Sequence, residues 1–98
     1  MPLTSNINKS TNTLTISISG NFDFSTHPAF RSAYDNTDSS LNVIVDLKQT
    51  EYMDSAALGM LLLLDEHFPN QTVKIIGCSD FIKQVLEIAN FQKKFDIS

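Results

Sequence analysis

The stretch Val43-Ile44-Val45-Asp46-Leu47, followed by Glu51-Tyr52-Met53-Asp54-Ser55-Ala56-Ala57-Leu58-Gly59-Met60-Leu61, joins a β-branched apolar run to a leucine-rich one. Leu41 to Leu47 is nearly continuous in apolar residues, the pattern of a central strand covered on both faces or nearly so. Met53-Asp54-Ser55 then opens the longest helical stretch, Ala56 to about Phe68, which Pro69-Asn70 stops. A buried strand leading into a helix is the repeating unit of α/β architecture.

Reading outward, Leu14, Ile16 and Ile18 alternate with Thr13, Thr15, Ser17 and Ser19, the period of a strand with one buried face. Leu3 to Ile7 is a weaker strand before it, across a polar turn at 9–12. After Gly20-Asn21, Ser25-Thr26 and Pro28 suit a first helical turn, and Phe30, Ala33 and Tyr34 carry a short amphipathic helix to about Asn36. Downstream, Thr72 to Ile76 is another buried strand, and a helix follows with Phe81, Ile82, Val85, Leu86 and Ile88-Ala89 on its apolar side. Asn90 suits a left-handed helix end, and Phe95 to Ile97 adds a short strand. The order β-β-α-β-α-β-α-β predicts an α/β fold: a single small domain over residues 1–98, with a mixed four- to five-stranded sheet and helices packed on it.

Composition narrows the function. The 98 residues are 42% hydrophobic, which suits a globular core. Seven Lys and Arg against eleven Asp and Glu give a net charge of -4, and the cations are scattered except Lys93-Lys94. Nucleic acid binding needs clustered cations, so none is expected. His27 and His67 lie far apart and Cys78 is the only cysteine, so no metal site is expected; surface histidines and a small buried thiol are the plain reading. Gly20, Gly59 and Gly77 stand in three separate places, which excludes both nucleotide-binding glycine fingerprints. Met53 and Ala57 occupy the positions where a nucleophile elbow around Ser55 needs glycines, so a serine hydrolase and a catalytic residue are not expected. Met1 to Asn6 lacks the pattern of a secretory signal, and the apolar run Ala56 to Leu64 is too short to span a membrane. A cytoplasmic location without membrane insertion is the expectation.

What remains is Asp54-Ser55 at a helix start. Either residue could simply cap the helix, contributing about 1 kcal/mol. Asp23, Asp46, Glu51 and Asp54 are all expected near strand ends that converge on one edge of the sheet, where functional loops of α/β domains tend to lie. On a helical wheel, a core side can be built from Ala57, Leu58, Leu61, Leu62, Leu64 and Phe68. The other side then carries Ala56, Gly59, Met60 and Leu63 before Glu66 and His67. That side reads either as a docking patch or as a helix buried on both sides or in a dimer. Asp65 falls near the core centre on this wheel, which periodicity does not explain.

Taken together, the strand ending in Asp46-Leu47 and the run Glu51 to Leu61 resemble the signature of the STAS domain family, which includes the bacterial anti-sigma factor antagonists. Gly20-Asn21-Phe22-Asp23 is similar to the Gly-x-Leu-Asp that follows the family's second strand, and Phe81 to Phe95 is similar to its last helix and exit. Ala56-Ala57 replaces the common Ser-Gly, and Asn90 stands where Gly is usual. The resemblance implies a non-enzymatic, phospho-switched regulatory protein without cofactors, with Ser55 as the one phosphorylation site. It implies a partner of kinase or anti-sigma type, released on phosphorylation, and a PP2C-type phosphatase that resets the switch. Partner-binding residues would be Asp23, Glu51, Asp54, Ala56, Gly59, Met60 and Leu63. The alternative is a constitutive STAS accessory subunit of a transporter complex.

Overall fold

The alternation of Leu14, Ile16 and Ile18 with hydroxyl residues becomes a strand with one buried and one half-exposed face. The computed structural model describes residues 2–98. Strands β1 (Leu3–Asn8) and β2 (Thr13–Phe22) pair antiparallel as a hairpin. The Asn8 side chain closes the turn, accepting from the Ser10 N–H at 2.9 Å and the Thr11 N–H at 3.3 Å. Strands β3 (Asn42–Met53), β4 (Lys74–Ile76) and β5 (Asp96–Ile97) then add in chain order, each parallel to its predecessor. Parallel neighbours need crossovers, and these contain α1 (His27–Tyr34), α2 (Ser55–His67) and α3 (Asp80–Ile88). The result is the expected α/β fold with a five-stranded mixed sheet.

All three helices feed one core, on one face of the sheet. Val43, Val45 and Leu47 are buried there, while Ile44 and Asp46 between them are only half-buried. Of the cover expected on both faces or nearly so, one face is complete and the other only partial. A correction concerns the length of the strand. β3 does not stop at Leu47 but runs to Met53, because β2 also continues and pairs Asn21 with Tyr52 and Phe22 with Met53. Two register shifts accommodate the longer strand. Thr50 anchors this extension by donating its hydroxyl to the Ile18 carbonyl at 2.7 Å while itself buried.

The helices are seated by their large side chains. In α1, Phe30 meets Phe22 with ring centroids 5.2 Å apart and Tyr34 at 5.8 Å. His67 is not a free surface histidine. It is half-buried, edge-on to Tyr34 at 5.3 Å, with Nε2 3.2 Å from the Thr37 carbonyl. In α2 the buried residues are Ala57, Met60, Leu61 and Leu64, with Phe68 just beyond the end. These positions have helical i, i+3, i+4, i+7 spacing. Met60 is thus core (3% exposed), and Leu62 is surface (38% exposed), the reverse of the wheel drawn from sequence. Asp65 is explained by Lys94, whose Nζ lies 3.7 Å from Oδ2.

Ser79 caps α3, its hydroxyl accepting from the Ile82 N–H at 3.2 Å. Only Ile82 and Leu86 of this helix are fully buried. Phe81 and Ile88 were expected on the core side and instead face solvent. Asn90 takes the left-handed conformation (φ 63°) just past the helix, as expected.

Candidate functional site

The site forms where β2 and β3 end together and α2 begins. The Asp54 N–H donates to the Phe22 carbonyl at 3.4 Å, which ties the start of α2 to the end of β2. Asp54 is the N-cap: its Oδ1 accepts from the Ala57 N–H at 3.0 Å. Ser55 is the first helical residue, is exposed, and its hydroxyl makes no hydrogen bond among the described residues. The capping role therefore belongs to Asp54, and the Ser55 hydroxyl is left without a structural task.

Asp23 is fixed next to this helix start by the chain that leaves β2. It caps a single 3-10 turn, Phe24–Thr26, with Oδ1 accepting from the Ser25 N–H at 3.0 Å and the Ser25 hydroxyl at 2.5 Å. Thr26 returns the contact from a buried position, its hydroxyl accepting from the Asp23 N–H at 3.5 Å and donating to the Asn21 carbonyl at 3.3 Å. Glu51 is exposed on the extended end of β3. The structure thus brings Asp23, Glu51, Asp54 and Ser55 to one edge of the sheet. It leaves out Asp46, which lies mid-strand, roughly 20 Å of extended chain before Met53. There Asp46 pairs with Lys48 at 3.5 Å and accepts from the Lys48 N–H at 3.0 Å.

Along α2, the outward face carries Ser55, Gly59, Leu62, Leu63 and Glu66, with Ala56 half-buried. A methyl group added at Gly59 would meet nothing within 4 Å. Leu63 is 44% exposed, as the patch reading required. Met60 drops out of that patch because it is core, and Leu62 takes its place. Sequence reasoning also missed three exposed aromatics at this edge: Phe24, Tyr52 and Phe81. Tyr52 and Phe81 stack with centroids 6.3 Å apart, and Phe24 stacks on His27 at 5.7 Å. Tyr52 could have been found only by knowing that β3 reaches it.

Among the described residues, no group of three or more His, Cys, Asp or Glu is placed to hold a metal ion. Burial pushes the Cys78 thiol above its ordinary range, with nearby Lys83 opposing, so the sulfur is protonated at neutral pH. No helix among the described residues is long and apolar enough to cross a membrane.

Comparison with known proteins matches residues 5–97 to the family model described as Mlab, STAS domain. The chain belongs to the STAS domain family. A STAS-domain containing protein of Pseudomonas aeruginosa (strain UCBPP-PA14) is 43% identical over 88 residues, which cover 87% of each chain. Among solved STAS-like structures, the unphosphorylated form of the anti-sigma factor antagonist SpoIIAA superposes with a TM-score of 0.74 at 14% identity, covering 98% of this chain and 86% of that one. A sulfate transporter family protein from Wolinella succinogenes gives 0.73 at 15% identity, covering 90% and 73%. At such identities these two likenesses establish the shared fold.

Proposed function

We propose that this STAS domain is a non-enzymatic regulatory binding protein switched by phosphorylation of Ser55. The observation that carries the reading is the division of labour at the start of α2. Asp54 holds the cap, so the exposed Ser55 hydroxyl can be modified without loss of a structural hydrogen bond. The partner is of kinase or anti-sigma type and binds the unmodified domain over Asp23, Glu51, Asp54, Ala56, Gly59 and Leu63. A PP2C-type phosphatase resets it.

Phosphate brings about -1.5 to -2 charge at neutral pH. On Ser55 it lies at the positive end of the α2 dipole, which favours it and spares the fold. Its cost falls on the interface, where a strongly hydrated dianion beside Asp23 and Asp54 must be desolvated against Gly59 and Leu63. The rival reading, an unswitched accessory subunit of a transporter complex, draws on the sulfate transporter family neighbour. The two separate in a titration with the cognate partner. Ser55→Ala binds as wild type under the switch, and Ser55→Asp binds weakly or not at all. Equal binding by both variants refutes the switch and favours the unswitched subunit.

A further inference from the structure

Helix α3 carries apolar side chains on two sides, one set into the core and the other along its margin and largely open to solvent. Ile82 and Leu86 point inward. Phe81, Val85 and Ile88, spaced i, i+4, i+7, form a second stripe, its two ends exposed and Val85 at its middle packed against the margin of the core. Ile88 is 78% exposed and Phe81 48%, with Val85 half-buried between them. Tyr52 extends the stripe onto the end of β3 through its stack with Phe81. A straight apolar stripe at this spacing is the surface that one helix offers another, and exposed apolar patches mark partner surfaces.

The charges beside the stripe specify what covers it. Asp80, Lys83, Gln84 and Glu87 line a shallow hollow on the outer side of α3, and Glu51 stands next to Tyr52. Three carboxylates against one lysine leave a surplus of two negative charges. None of these three acids forms an ion pair among the described residues; the ion pairs there are Arg31–Asp35, Lys48–Asp46 and Lys94–Asp65. A second copy of this chain would set the same surplus against itself across a two-fold contact, and like charges oppose association. We infer that the stripe Tyr52, Phe81, Val85 and Ile88 docks an amphipathic helix of a partner protein, with apolar residues facing the stripe and Lys or Arg facing Glu51, Asp80 and Glu87. Glu51 borders both surfaces, but Ser55 is not part of this stripe, so the contact persists in both phosphorylation states and serves as a tether beside the switched surface.

The test uses the full chain as bait for a random peptide library displayed on phage. The expected peptides have Lys and Arg in excess of Asp and Glu, with apolar residues at helical spacing. They lose at least about tenfold in affinity for Phe81→Ser or Ile88→Ser, the scale of a single anchoring side chain. Both positions are exposed, so both variants stay folded in a thermal melt. The same peptides bind Ser55→Asp as tightly as wild type. Selection that returns no peptides of this chemistry, or peptides that bind the serine variants unchanged, overturns the inference. So does a chain that self-associates in sedimentation and becomes monomeric with Ile88→Ser. Peptides lost on Ser55→Asp overturn the tether, while the phospho-switch would still stand.

Discussion

Gly59 sits in the middle of α2, exposed, where a glycine has a cost and no visible internal benefit. Its backbone is helical and a Cβ would project into open space, so alanine fits without strain or contact. Only the backbone term then remains: glycine in a helix interior is about 1 kcal/mol less favourable than alanine. Gly59→Ala should therefore stabilise the isolated domain by about that much, or ~4–8 °C in Tm for a domain of this size. Urea melts followed by circular dichroism read the change directly. The same methyl should weaken binding of the cognate partner if the Ser55–Gly59–Leu63 face is where it approaches, because the added carbon keeps the two surfaces apart. Stabilisation with weaker binding is the expected pair of results. A destabilised Gly59→Ala would refute the reasoning, since the space around Gly59 would then be filled in the folded domain.

Met60→Asp should unfold the domain or nearly so, because it places an unpaired carboxylate in the core, whereas Leu63→Asp should leave the melt close to wild type and weaken partner binding. Asp54→Ala should cost about 1 kcal/mol in a denaturant melt through the lost cap, and Ser55→Ala less than about half of that; the opposite order would mean the serine is structural. Burial raises the Tyr34 hydroxyl above its ordinary pKa of 10.0, the field of Asp35 and Glu66 adding to the rise and Arg31 opposing it. The folded state thus favours the neutral phenol. This stabilisation is fully present below the unfolded pKa and is lost as pH rises through the folded one. Wild type should accordingly lose stability above about pH 10 more steeply than Tyr34→Phe, as melts across that range would show.

Strand and helix order was legible because the alternation at 13–19, the apolar run at 41–47 and the stops at Pro69 and Asn90 are local signals. The phase of α2 was not. Leu58, Met60 and Leu61 to Leu64 are apolar on every side of the helix, so periodicity alone could not choose Met60 over Leu62 for the core. The reach of β3 was hidden for another reason: Lys48-Gln49-Thr50-Glu51 reads as a polar loop, and only pairing with an equally extended β2 makes it strand. That one misreading placed Asp46 at the site and concealed Tyr52. Asp65 looked misplaced because its partner, Lys94, lies far along the chain. The site's centre was legible, since a cap and a free serine at the start of a leucine-rich helix follow from neighbouring residues. Which of the two capped required coordinates.

The central claim is that Ser55 carries a regulatory phosphate, and phosphosite mapping by mass spectrometry of the protein isolated from its native cells tests it most directly. The account predicts a phosphopeptide modified at Ser55 and a phosphorylated fraction that no longer co-purifies with the partner. Phosphate confined to another hydroxyl, such as Ser79, would contradict it, as would an unmodified Ser55 in both bound and free pools.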